Sequence, residues 1–336
     1  MNKARRVLQV AGLMCARAEG GEIDRRGFYR DGWLAAAKER SWRATELGRG
    51  FIRIERPGRP LLVRGAQVGV DDLVTYFLAG DKDATTTLLR QAGLPTPATE
   101  VFDPASRALR RRLARDGGEQ VVKPAADTGG GRGVTVGPTG RTGILRAVAE
   151  AAVYGSRVVC EERLAGRIVR VLVLDDEVLD AVERTPARLT GDGSSVDRLV
   201  AVENARRVAL GPASTGFIGT GADYVAALAR AGVTRRTRIP AGTVIVVSGR
   251  SNSGSEQESR RVTVDRELAA AACRAASVVG ARLAGVDVVI REGGGLRAVL
   301  EVNTTPGLHW HRLVAGEPFD VFGAILSRLD VAPRNP

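Results

Sequence analysis

The chain has 336 residues, of which 44% are hydrophobic and 26% charged, the make-up of an ordinary globular protein with room for two or three sub-domains around one cleft. No run of about 18 apolar residues occurs, which argues against a membrane span. Fifty basic against 38 acidic residues leave a net charge of +12, with only 4% aromatic residues, so a solvated basic surface or an anionic small substrate explains the charge better than a nucleic acid. In chain order, MNKARRVLQVAGLMCARAEGG sets basic residues before a short apolar stretch, as a signal peptide does. Arg17, Glu19, Glu22 and Asp24 follow at once, so a first core strand is expected there. Residues 1–80 mix short apolar runs with Gly and Arg turns and read as a small α/β domain. Asp81 is placed to cap a helix through Thr85, Leu88, Leu89 and Arg90, stopped by Gly93 and the Pro95 and Pro97 pair. A helix near Arg107–Arg115 and a strand over Glu119–Lys123 come next.

KPAADTGGGRGVTVG, residues 123–137, then carries Gly129, Gly130, Gly131 and Gly133 between valine-rich strands. Four glycines in five positions exceed what a hairpin tip needs, and their exposed N–H groups suit phosphate. No Gly-Lys-Ser/Thr follows, and Val134-Thr135-Val136 continues as strand, so neither the Walker loop nor the dinucleotide fingerprint applies. Only four of the cations are lysine (Lys3, Lys38, Lys82 and Lys123), which marks lysine as the residue kept where a compact point charge is needed. Lys82 and Lys123 both sit in motifs. Beyond the loop, Thr142–Tyr154 reads as a helix, and two strands follow with a loop at Leu164–Gly166 between them. Residues 185–245 are the least regular, with helices expected at 194–208 and 221–231. Strands at Arg260–Val264 and Gly285–Arg291 flank a helix from 265 to about 283. Gly293–Gly295 then turns a hairpin into the strand 296–303. Cys15, Cys160 and Cys273 are far apart and odd in number, which makes neither a disulfide framework nor a zinc cluster and fits a reducing cytoplasm. The pattern is α+β, with antiparallel hairpins flanked by helices.

The last hairpin carries the chemistry. Glu301 and Asn303 are two apart on a strand and share a face, and hairpin pairing can add Asp287. Carboxylate and carboxamide oxygens without histidine or cysteine suit Mg²⁺. With these residues in view the chain resembles the ATP-grasp superfamily, most closely the ATP-grasp domain of the cyanophycin synthetases and more distantly the D-alanine:D-alanine ligases. DKDATTTLLRQAGLPTP, VVKPAADTGGGRGVTV, VVCEERLAGR, RVLVL, LTGDGSSVDRLV, IPAGTVIVVSGRSN, AGVDVVI and LEVNTTPGLHWH carry the resemblance, over roughly residues 45–325.

The resemblance implies an ATP-grasp fold of two α/β sub-domains gripping nucleotide, with a small N-terminal domain. Its units would be 1–80, a central sub-domain over 81–160 and a C-terminal sub-domain over 161–336 with a substrate-binding insertion at about 185–245. It implies that Lys82, Lys123, Gly129, Gly130, Gly131, Gly133, Glu161 and Leu164 bind ATP. Asp287, Glu301 and Asn303 become the Mg²⁺ ligands, with Mn²⁺ as a substitute. Arg250, Lys123 and Arg170 become catalytic, and Asn252, His311 and Arg312 face substrate. The implied reaction phosphorylates a carboxylate, of an amino acid or short peptide, and joins the acyl phosphate to an amine. A small-molecule kinase on the same fold is the alternative. A cytoplasmic homodimer or homotetramer with no membrane or nucleic-acid partner is implied as well. The sequence departs from the family at Ile168, where a ribose-binding carboxylate is expected, and at His309, where the cyanophycin-type enzymes have arginine. The Mur-ligase-like half of those enzymes has no counterpart in these residues, which leaves one ligation rather than two.

Overall fold

The computed structural model describes residues 23–115, 120–126, 128–255, 258–314 and 319–330. The strand expected near the start and Cys15 lie outside these. Helix α1 (Arg26–Glu39) leads into an antiparallel meander of β1 (Arg43–Gly48), β2 (Phe51–Glu55), β3 (Leu61–Arg64) and β4 (Gln67–Val68). The strands β2 and β3 alternate buried and exposed residues, so Ile52, Ile54, Leu61 and Val63 face α1 and the opposite face meets solvent. Two short helices follow, α2 (Leu73–Gly80) and α3 (Lys82–Gln91). Asp81 caps α3 as expected, its Oδ1 accepting from Asp83 N at 3.0 Å and Ala84 N at 3.1 Å.

A second sheet is built from β5 (Thr99–Phe102), β6 (Gln120–Pro124), β7 (Thr135–Val136) and β8 (Val158–Glu162) in the order β5-β8-β6-β7. Helices α4 (Arg107–Arg115) and α5 (Gly140–Tyr154) meet it through Leu109, Ala147, Val148 and Ala151, packed on Val122, Val158 and Cys160. The third sheet is wholly antiparallel and has five strands: β9 (Arg167–Leu174), β10 (Glu177–Arg184), β13 (Arg260–Arg261), β14 (Leu283–Ile290) and β15 (Leu296–Asn303), in the order β13-β10-β9-β14-β15. Between β10 and β13 the chain builds a small unit of its own from β11 (Arg188–Thr190), α6 (Val196–Leu210), α7 (Ala222–Arg230) and β12 (Val244–Val246), with a separate core around Tyr224 and Val247. The helices expected at 194–208 and 221–231 are α6 and α7.

Both faces of the five-stranded sheet are covered, which is why β14 is buried at every position. Val169, Val171 and Val173 on β9, with Ala284, Val286 and Val288 on β14, pack on Ala272, Ala275 and Ala276 of α8 (Arg266–Val279). On the other face Leu172, Leu174 and Leu283 meet Trp33 of α1 and Phe322 of α10 (Val321–Asp330). The rest of that face, from Ile168 and Arg170 to Asp287, opens toward the second sheet. Among the described residues no helix is long and apolar enough to cross a membrane.

Candidate functional site

The site begins with the register of three strands. Asp287 lies directly opposite Arg170 on one side and Glu301 on the other. Gly285, two residues before Asp287, leaves the space the arginine needs: a Cβ there would stand 2.7 Å from Arg170 Cδ. The guanidinium therefore lies across β14, its Nε donating to Asp287 Oδ1 at 2.5 Å and Nη2 to Oδ2 at 2.8 Å. Arg184, from the neighbouring β10, adds a third donor to Oδ2 at 2.6 Å. All three side chains are buried. Burial alone would raise the Asp287 carboxyl, but Arg170 and Arg184 outweigh it and hold the group well below the usual carboxylate range. Burial likewise works against charge on Arg170, and Asp287 and Glu301 override it and raise that group. On Arg184 burial prevails and the group is lowered.

Glu301 and Asn303 follow on β15, Asn303 Nδ2 donating to Glu301 Oε1 at 3.0 Å. A β-bulge shifts the register between Asp287 and Val288, so that Val299 and Val302 both reach the α8 core while Leu300 and Glu301 both face the cavity. Asp287, Glu301 and Asn303 offer only hard oxygen donors, the chemistry that Mg²⁺ takes and Mn²⁺ tolerates. A carboxylate has about four lone-pair sites, and three N–H groups fill Asp287 to that extent, which leaves one. Glu301 is a third exposed, into the cavity. These residues fit a magnesium ion held chiefly by Glu301 and Asn303. Among the described residues no three His, Cys, Asp or Glu side chains form a metal-holding group, so the carboxamide is needed to complete the set.

Opposite, the glycine loop closes over the same cavity. Gly130, Gly131 and Gly133 take φ of +71°, +73° and +70°, which side chains with a Cβ rarely adopt. At Gly131 a Cβ would also stand 2.8 Å from Asn252 Nδ2. Arg250 Nη1 donates to Gly131 O at 2.9 Å, so the turn after β12 pins the loop. Lys123, at the end of β6, is buried and paired with Glu161 at 2.7 Å. The cavity so enclosed is about 380 Å³ and is lined by Lys82, Lys123, Gly129, Gly130, Gly131, Glu161, Arg170, Arg184, Arg250, Asn252, Asp287, Glu301 and Asn303, among others. Five cationic side chains against three carboxylates give it an excess of positive charge. It adjoins a larger cavity of about 960 Å³ lined by Leu164, Ile168, Glu183, Arg188 of β11 and the residues of β12. Glu161 and Ile168 line both.

Of the expected substrate residues, Asn252 lines the smaller cavity, whereas His311 and Arg312 do not. His311 is fully buried behind it, Nδ1 on Asp180 Oδ2 at 2.8 Å, with Arg261 Nε on Asp180 Oδ1 at 2.8 Å. Arg312 is half exposed, 3.7 Å from Asp320. The short helix α9 (His309–Arg312) turns His309 toward the cavity instead, because residues two apart on a helix point to different sides. Its Nδ1 lies 2.9 Å from the Tyr29 hydroxyl of α1. Burial, together with Arg25, His311, Arg170 and Arg184, keeps His309 neutral, and burial pushes the Tyr29 hydroxyl up to about 12. Sequence reasoning also missed Arg184 and Asp223. The latter is a buried carboxylate on α7 that accepts from Val136 N at 3.0 Å, Ser248 Oγ at 2.6 Å and Gly249 N at 2.9 Å. Only the spacing of Asp223 in the first turn of a helix was visible beforehand.

No family model matches the chain. A cyanophycin synthetase of Nostoc sp. is 29% identical over 274 residues, which cover 75% of this chain and 29% of that protein. The glutathione biosynthesis bifunctional protein GshAB of Listeria innocua is 26% identical over 307 residues, 88% of this chain and 39% of the relative. The chain thus spans well under half the length of these relatives. The crystal structure of a bifunctional glutathione synthetase from Pasteurella multocida superposes with a TM-score of 0.55 at 21% identity, over 90% of this chain and 43% of the other. The fold of this chain is the ATP-grasp fold, and its sequence relatives are cyanophycin synthetases and bifunctional glutathione-biosynthesis proteins.

Proposed function

We propose that this chain is an ATP-dependent carboxylate–amine ligase acting on an amino acid or short peptide. The observation that carries the reading is the meeting, in one cavity of about 380 Å³, of a glycine loop, Lys82, Lys123 and Arg250 with the oxygen donors Asp287, Glu301 and Asn303. In the first step a carboxylate oxygen of the substrate forms a bond to the γ-phosphorus of ATP and the bond to the bridging oxygen breaks, giving an acyl phosphate and ADP. In the second, an amine forms the C–N bond, phosphate leaves, and the amine proton passes to phosphate or solvent. Such transfers need charge neutralisation and alignment rather than a dedicated base. Lys82 and Lys123 supply fixed positive charge to the phosphates, and Glu161 holds the Lys123 ammonium in place. The N–H groups of Gly129–Gly131 cover the phosphates, and Arg250 reaches the transferred phosphoryl while tying down Gly131. Arg170 and Arg184, both engaged by Asp287, act as a positive floor under the cavity. Bound Mg²⁺, held by Glu301 and Asn303 beside Asp287, would neutralise phosphate charge. Leu164 and the strand bearing Glu161 border the larger cavity and are assigned to the base of the nucleotide.

The test is ADP release from ATP and Mg²⁺ across a panel of amino acids and dipeptides, with products weighed by mass spectrometry. Release that requires both an acid and an amine, with an amide product, is expected. A stable phosphoester formed from an alcohol alone would instead assign the chain as a kinase. A homo-oligomer in solution is part of the proposal, read by light scattering.

A further inference from the structure

A nucleotide whose phosphates lie under the glycine loop, in the cavity of about 380 Å³, and whose base lies in the neighbouring cavity of about 960 Å³ must place its sugar where the two cavities meet. The residues that line both cavities therefore face the sugar. Four of them are apolar: Val121 and Val136 from the second sheet, and Ile168 and Leu300 from the third. Strand alternation turns them inward. Val121 shares a face with Lys123, while Val122 between them joins the core under α4 and α5. Ile168 shares a face with Arg170, while Val169 joins the core under α8.

The polar side chains of this waist are committed elsewhere. Glu161 is the one carboxylate among the described residues that line both cavities, and it is paired with Lys123 at 2.7 Å with only 9% of its side chain exposed. Arg184, opposite Ile168 in the strand register, carries donors alone and turns them to Asp287. Glu183 lines only the larger cavity, lies opposite Val169 on the α8 side of the sheet and is taken by Arg167 at 2.8 Å. Glu162, next to Glu161 on β8, belongs to the other face of its strand. The hydroxyl of Ser251 is the one neutral side-chain group left in the waist. A site reads a substrate hydroxyl by means of a buried polar partner that is stranded when the hydroxyl is missing, whereas an apolar wall neither rewards the hydroxyl nor strongly rejects it.

We propose that the sugar subsite is indifferent to the ribose hydroxyls, that Ile168 is the residue that makes it so, and that 2′-deoxy-ATP and 3′-deoxy-ATP are accepted as ATP is. The proposal rests on the nucleotide half of the ligase reading. The experiment measures binding of ATP, 2′-deoxy-ATP and 3′-deoxy-ATP, each with Mg²⁺, to the full chain by calorimetry. The three dissociation constants are expected to agree within about threefold. In I168E, which sets a carboxylate in the waist, ATP is expected to bind about tenfold more tightly than either deoxynucleotide. A wild-type preference for ATP of more than about threefold overturns the proposal and leaves the ligase reading standing. I168E that melts as a folded protein yet stays indifferent overturns the assignment to Ile168, and if that variant does not fold, the wild-type comparison decides alone. Binding of none of the three nucleotides overturns the nucleotide reading itself, a result distinct from a preference for ATP.

Discussion

Arg170 and Asp287 are both buried, and Arg170 supplies two of the three donors that Asp287 accepts. Removing one partner of such a pair leaves an uncompensated charge, so R170M lowers the unfolding free energy by about 3–5 kcal/mol, read from urea melts. Glu301 is different in kind: it is part exposed, its carboxylate lines the cavity, and it is the proposed metal ligand. E301Q leaves the melt within about 0.5 kcal/mol of wild type, while turnover and Mg²⁺ dependence fall about 100-fold. Turnover that kept its normal response to Mg²⁺ would refute the metal assignment. The two histidines set a pH limit. Burial lowers both His309 and His311, so the unfolded chain binds protons that the folded chain refuses. Stability is therefore complete above the free histidine pKa of about 6.5 and declines as pH falls below it. Melting temperatures between pH 7.5 and 5.5 should show that slope, flattened in H309Q.

At the scale of elements, the glycine loop is held by the small unit between β10 and β13, through Arg250 on Gly131 and through Asp223 on β7. Asp223 serves three donors on two elements, which makes it the joint between that unit and the second sheet. D223A leaves those donors without their acceptor and costs about 1–3 kcal/mol. Hydrogen exchange should then quicken first at Val136 and Ser248–Gly249. G131A meets two penalties at once, the left-handed φ and the Asn252 side chain, so it impairs ADP binding more than it lowers the melting temperature.

For the whole molecule, the candidate site is a cleft whose walls are two different sheets. A ligand that bridges them binds the folded chain and has no equivalent site in the unfolded one. ATP with Mg²⁺ at about 100 times its dissociation constant therefore adds about 2.7 kcal/mol of stability, visible as a raised melting temperature, and R250A reduces the gain. Absence of any shift with saturating ATP would sink the nucleotide reading. The C-terminal α10 packs on α1 and the third sheet through Phe322, so the two ends of the described chain share one core and melt together.

The sequence by itself determined the elements and the local chemistry. The Asp81 cap, the glycine run and the Glu-x-Asn strand end are short-range patterns, in which side-chain period and backbone freedom act within a few residues. Tertiary structure decided what those residues face. Gly285 looks like any strand glycine until Arg170 is laid across it, and the bulge that turns Leu300 and Glu301 to one side depends on pairing with β14. His311 carried the sequence resemblance, yet α9 turns it into the core against Asp180 and turns His309 to the cavity. The apolar waist between the two cavities draws its lining from two sheets and the turn after β12. No window of sequence holds these together, because cavities are made by packing between distant segments and leave no period in the chain.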